Sequence, residues 1–352
     1  LIEDVAKKEK KRSPYSPFSN SLLLQDASSK LGFSPKYTNS LAQQLKDGIG
    51  TLGALITYHR SDSNKMKQNE VNNLRQIINK EIGSNFLSKE EIIYKEKSKF
   101  VQQGHEAVTP TQLNKKPEDV KKELNDDQFK LYELIWKRTV ASQMSQSKNL
   151  ETSYYIKGEE FLLKSSGSIQ IFEGFKKIYN YSEKNDDQQK LPNLKEGDNV
   201  KISKIEIKKN HTKPPNRYSE AGLIKKLEEL GIGRPSTYVS IFTKLESNNY
   251  IIIKNKSLIP SSRGKVLSKF LDGFFFKFVD YKFTADLEEQ LDEITQSKKD
   301  WKNTLHNFLK LLNSAVDDVK EKSITEVINK INELSPEILK KKNCPKCNDG
   351  EL

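Results

Sequence analysis

The chain has 352 residues, of which 34% are hydrophobic and 31% charged, and it carries a formal net charge of +12. That length fits two or three domains, and the lean apolar content fits an open, multi-lobed protein rather than one compact globule. No apolar run is long enough to span a membrane, the first residues do not read as a signal peptide, and two cysteines are too few for a disulfide framework. These features exclude the membrane-spanning and disulfide-stapled classes and lead us to expect a cytoplasmic protein. The positive balance favours a polyanionic partner, nucleic acid above all. A Lys-, Asn- and Ile-rich coding bias with no binding role would give the same balance.

In chain order, residues 1–12 end in the basic run Lys7-Lys8-Glu9-Lys10-Lys11-Arg12, an exposed strand end or linker. Two prolines, Pro14 and Pro17, make a connector. A helix is expected from Asn20 to about Gly32, and a second from Ser34-Pro35 to about Asp47, with proline at home in its first turn. Gly48, Gly50 and Gly53 then break the chain before a short apolar strand that ends at Tyr58. Residues 70–82 read as another helix, followed by a polar Lys-rich loop. The Asp126–Met144 segment is a strong helix, with Leu131, Leu134 and Ile135 on one face. Residues 150–207 are β-rich, with strands around Tyr154, Phe161 and Val200–Ile205 and a surface insertion at 183–189. Ser219 caps a helix that Gly231 ends. Pro235 opens a second helix, Asn248-Asn249 closes it, and a hairpin follows over 250–259. Helix, tight turn, helix and hairpin make a winged-helix pattern. Residues from Gly264 to about Val319 are helical again.

The chemistry concentrates in Leu55-Ile56-Thr57-Tyr58-His59-Arg60-Ser61-Asp62-Ser63. A phenol followed two residues later by a guanidinium suits a tyrosine that attacks a phosphodiester. The tyrosine supplies the nucleophile, and Arg60 holds the phosphate and offsets the charge that builds on it. The same residues also read as a strand tyrosine with a polar loop after it. Near the end of the chain, Cys344 and Cys347 hold half of a four-ligand zinc site. Either they begin a truncated zinc ribbon or they bind nothing. Leu1 and Leu352 both read as interior positions of a longer protein.

Taken together these segments resemble the bacterial DNA topoisomerase I family, a type IA group. Pro17-Phe18-Ser19-Asn20-Ser21 with Leu24 to Ser28 resembles its PFTTSTLQQ run, and Leu55 to Ser63 resembles LITYMRTDS. Gly104-His105-Glu106-Ala107-Val108 resembles AHEAI. Leu131 to Trp136 with Gln143-Met144 resembles LYELIW and QM. Thr212 to Ala221 and Gly231 to Tyr238 resemble TKPPARYSEA and GIGRPSTY. Phe283-Thr284-Ala285 and Trp301 match later landmarks.

The resemblance implies a mostly helical, multi-domain, partial torus with a β-rich arch and a winged-helix-like lobe. Residues 1–18 and 145–207 would form the arch, 19–144 the tyrosine lobe, 208–335 the winged-helix lobe, and 336–352 a linker and the start of a zinc ribbon. It implies ATP-independent relaxation of negatively supercoiled DNA through a 5′-phosphotyrosine on Tyr58, with Arg60 on the scissile phosphate and Asp62 orienting the loop or Arg60. His105 would contact phosphate, or else be a satisfied structural histidine. Arg234, Ser236, Thr237 and Tyr238 would meet phosphate at a helix N-terminus, where capping alone would also explain them. Asn248 stands where relatives often carry a DNA-contacting arginine, and Thr109 where they have another. His59 replaces the usual methionine. Mg²⁺ would be bound by an N-terminal toprim domain that this chain lacks, and Zn²⁺ by the truncated ribbon. The partner would be single-stranded segments of DNA, and the protein a monomer at the bacterial nucleoid. A non-catalytic single-stranded-DNA-binding remnant is the alternative.

Overall fold

The computed structural model describes residues 1–95, 105–181 and 191–334. The chain divides into two compact units, with the change between Pro215 and Asn216.

The first unit joins a helical body to a three-stranded antiparallel sheet. Strand β1 (Ile2–Arg12) pairs with β2 (Ser147–Lys157), and β2 with β3 (Leu162–Phe172), in the order β1-β2-β3. The basic run is therefore a paired strand, in register from Val5↔Tyr154 to Arg12↔Ser147. The region expected to be β-rich is strand only in its first half. Residues 199–219 form no regular structure, and Ile205 and Ile207 are 77% and 96% exposed. Their alternation is strand-like, but no neighbouring strand takes up their backbone groups. The expected 183–189 insertion lies outside the described residues.

The helical body contains α1 (Asn20–Asp26), which continues into one π-helical turn, then α2 (Pro35–Asp47), α3 (Gln68–Ile77), the single turn α4 (Pro117–Val120) and α5 (Asp126–Ala141). Ser19 caps α1, and Asn125 and Gln128 form a capping box on α5. Leu131, Tyr132, Leu134, Ile135, Trp136, Val140 and Ala141 are all buried, so α5 is the central helix and its apolar residues cover most of its circumference. Phe18, Leu23, Leu41, Leu45, Leu55 and Ile56 pack in the same core. Gly174 marks the exit from the sheet. Its φ is +53°, and a Cβ there would stand 2.4 Å from the Gln146 carbonyl oxygen, so only glycine fits.

An ionic cluster joins the ends of the sheet to this core. Arg138, on α5, donates from Nε to the Ser16 carbonyl at 2.6 Å and from Nη1 to Asp26 at 3.0 Å. Its guanidinium lies over the rings of Tyr15 and Phe18, at 4.6 and 4.8 Å. Tyr179 donates its hydroxyl to Asp26, and Lys30 lies over the Tyr179 ring at 4.5 Å. Burial, the largest influence, pushes the Tyr179 phenol far above its usual range, so it stays a donor.

The second unit follows the helix, turn, helix and hairpin order. Helix α6 (Glu220–Leu230) is capped by Ser219 and ends at Gly231 in the left-handed region. Helix α7 spans Tyr238–Ser247. It starts three residues later than Pro235 because Arg234–Thr237 form a turn, closed by the Thr237 N–H to the Arg234 carbonyl at 2.8 Å. The hairpin β4 (Ile251–Lys254) and β5 (Ser257–Pro260) turns at Asn255-Lys256, whose φ values of 50° and 60° fit the primed turn that matches strand twist. Helices α8 (Ser262–Phe274), α9 (Phe276–Val279), α10 (Tyr281–Thr295), α11 (Trp301–Lys320) and α12 (Ile324–Leu334) complete it. Among the described residues no helix is long and apolar enough to cross a membrane.

The cluster makes a stability prediction. Arg138→Ala removes the deepest cation and leaves Asp26 with Lys30 as its remaining ion partner. The expected loss is about 3 kcal/mol, read as a lowered urea midpoint for the first unit.

Candidate active site

Tyr58 does not end a strand. Residue 56 makes one isolated bridge, with Pro110, and no ladder follows. The tyrosine sits on a loop held by separate bonds. The Leu55 N–H donates to the Leu45 carbonyl at 2.8 Å, and the Thr111 N–H to the Leu55 carbonyl at 3.0 Å. Thr57 makes three bonds through two atoms. Its N–H donates to the Thr109 carbonyl (2.9 Å), its hydroxyl donates to the Ala107 carbonyl (2.8 Å), and the same hydroxyl accepts the Thr109 N–H (3.0 Å). Two segments about fifty residues apart are thereby fixed side by side.

That pairing brings Tyr58 and His105 together, with ring centroids 6.2 Å apart. Asp62 lies within hydrogen-bond distance of His105 Nδ1, at 3.0 Å. Its carboxylate was expected to orient the loop or Arg60, and one partner the structure gives it is His105. A proton on Nδ1, donated to Asp62, leaves Nε2 as the nitrogen open to another group. Tyr58 is 49% exposed. Arg60 is also exposed, and among the described residues it makes no ion pair or side-chain hydrogen bond. An exposed phenol, an unpaired guanidinium and a braced imidazole thus occupy one short stretch of surface. Thr109, expected only as a lost positive charge, is a buried bridge partner of Thr57.

His59 points the other way. It is fully buried, and neither ring nitrogen has a hydrogen-bond partner. Burial, aided by the nearby Arg60 charge, pushes its pKa down to about 4. It fills an apolar position as a neutral ring, which accounts for its standing where methionine was expected.

Sequence reasoning missed Asn20, reading it only as a helix start. It is fully buried, and its side-chain nitrogen donates to the His59 carbonyl at 2.9 Å. Its N–H donates to the Ser61 carbonyl at 2.7 Å. The available signal was an amide side chain at the first helical position, directly after the serine cap.

The other expected residues belong to the second unit. Arg234 bonds Asp292 through Nη2 at 2.6 Å, approaches Glu288 at 3.6 Å and donates to the Gly233 carbonyl at 2.8 Å. Its charge is therefore engaged within the fold. Thr237 Oγ1 accepts the Arg234 N–H at 2.8 Å. Ser236 is exposed and Tyr238 buried. Asn248 caps the end of α7, donating to the Lys244 carbonyl at 2.8 Å. Cys344 and Cys347 lie outside the described residues. Among the described residues no three His, Cys, Asp or Glu side chains gather as metal donors.

Residues 1–306 match the DNA topoisomerase family, and the chain belongs to it. DNA topoisomerase 1 of Rickettsia prowazekii (strain Madrid E) is 42% identical over the whole chain, which covers 47% of that protein. The Campylobacter jejuni DNA topoisomerase 1 is 39% identical, again over the whole chain and 49% of its own length. Full-length topoisomerase I from Thermotoga maritima superposes with a TM-score of 0.79 and 36% identity, over 90% of this chain and 52% of that one. The fold is that of a type IA topoisomerase I. The chain spans about half the length of the curated relatives it matches.

The buried histidine makes a pH prediction. With a folded pKa of about 4 against the usual 6.5, an unfolded imidazole takes a proton between these values and the folded one does not. Stability is therefore flat above pH 6.5 and falls as pH drops through that window, by about 3 kcal/mol in all. His59→Met should flatten that slope, seen by comparing urea midpoints at pH 7 and pH 4.5.

Proposed function

We propose that the chain is the tyrosine-bearing portion of a type IA topoisomerase that relaxes negatively supercoiled DNA. The observation that carries this is the half-exposed Tyr58 beside an unpaired Arg60 and an Asp62-braced His105. The Tyr58 phenolic oxygen attacks the scissile phosphorus, forms a 5′-phosphotyrosine and releases a 3′-hydroxyl. After another strand passes, that hydroxyl attacks the same phosphorus and frees the tyrosine. One phosphoester replaces another in each step, so no ATP is needed. A phenol titrates ordinarily near pH ~10, so it must lose its proton as it attacks. Arg60 binds the phosphate and offsets the charge that builds there. With Nδ1 committed to Asp62, His105 Nε2 is the nitrogen left for a phosphate oxygen.

In the second unit, Arg234 is already paired with Asp292. Phosphate contact there falls to Ser236 and the free N–H groups of the first turn of α7. Asn248 serves by capping α7 beside the strand. Single-stranded DNA is the partner. Mg²⁺ belongs to toprim carboxylates outside this sequence and would supply charge neutralisation at the phosphate. Cys344 and Cys347 would contribute half of a zinc ribbon. A monomer in the bacterial cytoplasm fits this reading.

The test is denaturant trapping with end-labelled single-stranded DNA, using the chain joined to its toprim portion. A covalent adduct should form, map to Tyr58, and vanish in Tyr58→Phe while DNA binding persists. An adduct that survives Tyr58→Phe would overturn the assignment, and binding without any adduct would favour a DNA-binding remnant. The chain alone should not relax supercoiled plasmid in Mg²⁺, and relaxation by it would contradict the toprim dependence.

A further inference from the structure

Tyr58 lies on a loop with no sheet ladder, so something other than secondary structure must fix the direction in which its phenol leaves the surface. Thr57 settles the position of the chain before the tyrosine. After it, the His59 and Ser61 carbonyls are both held. Both are taken by one residue. Asn20 donates its side-chain amide to the first, at 2.9 Å, and its backbone N–H to the second, at 2.7 Å.

We infer that Asn20 is a positioning residue for the Tyr58 nucleophile, acting through the His59 carbonyl. This rests on the assignment of Tyr58 as nucleophile. Three observations support it. Asn20 is fully buried, so water does not compete for the bond. The Asn20 amide also reaches Asn39 Oδ1 on α2, at 3.2 Å, which limits rotation of the side chain. Asn20 stands at the first turn of α1, whose N-cap Ser19 and buried Leu23 and Leu24 fix its backbone. The amide is thus built on a rigid element and aimed at a loop that has few bonds of its own. The His59 ring cannot do this work, since it has no polar partner at all.

Removing the amide leaves the Ser61 bond in place, because that one uses the Asn20 backbone. The substitution should therefore free the peptide after Tyr58 without releasing the whole loop. A misplacement of about 1 Å costs on the order of a hundredfold in a reaction that depends on alignment.

The experiment compares Asn20→Ala, Asn20→Gln, Asn39→Ala and Tyr58→Phe in the chain joined to its toprim portion. Single-turnover cleavage and DNA affinity are measured for each. Asn20→Ala should slow cleavage by about ten- to a hundredfold while affinity changes less than about twofold. Asn39→Ala leaves the His59 bond but loosens its donor, and should slow cleavage by a smaller factor. Asn20→Gln keeps the amide but moves it, and should stay slow. Should Asn20→Ala unfold, Asn39→Ala carries the test alone, with amide exchange at Thr57 and Ser63 as a check that the loop remains folded. Wild-type cleavage rates in folded Asn20→Ala, or in Asn39→Ala if the former does not fold, overturn the inference. So does a loss of rate matched by an equal loss of affinity. An adduct that persists in Tyr58→Phe means instead that the nucleophile itself was wrongly assigned.

Discussion

The hydroxyl of Thr57 does two things at once, donating to the Ala107 carbonyl and accepting the Thr109 N–H. Through that one oxygen the segment bearing the phenol is registered against the segment bearing the imidazole. Neither segment belongs to a sheet, and each lacks the repeated bonds that make a strand rigid. The site is therefore assembled from single contacts on a helical scaffold. Asn20 adds a contact from α1, Leu45 one from α2, and Asp62 one across to His105. Such an arrangement leaves the phenol open on one side and its backbone fixed on the other. Polar groups face both ways here, and each inward-facing backbone group just named has a partner, as burial requires.

The imbalance of charge at the site has a physical purpose. Among the described residues Arg60 has no carboxylate partner, whereas Arg138 and Arg234 are each engaged by one. An arginine already neutralised inside the fold gains little from a phosphate, and one kept unpaired at the surface gains a bidentate bond. The three arginines thus separate into two held inside the fold and one left open at the surface.

Much of this was legible in the chain. The Ser219 cap, the helix end at Gly231 and the periodicity of α5 are local signals, and each stands where expected. The exposed tyrosine and its arginine are two residues apart, so a local reading could pair them. What escaped was long-range. The partner of Asp62 lies 43 residues away, and the Asn20 amide acts 39 residues along. Nothing in either neighbourhood encodes such a meeting. Residues 199–207 misled for the opposite reason, since their alternation is strand-like and only a neighbouring edge makes a strand. The Asp292 that holds Arg234 lies 58 residues further on, and nothing around Arg234 announces it.

Strand β1 has a consequence for how the protein is made. Its partner β2 lies far along the chain, with Lys10 and Glu151 joined across 141 residues. Leaving the ribosome, Ile2–Arg12 must wait while the whole helical body is synthesised before its edge can be closed. An unpaired strand in a nascent chain is a template for aggregation. The crowding of Lys7, Lys8, Lys10, Lys11 and Arg12 into that strand supplies the protection, because like charges keep two such edges apart. The run that reads as an exposed strand end or linker is also a gatekeeper for the protein's own birth.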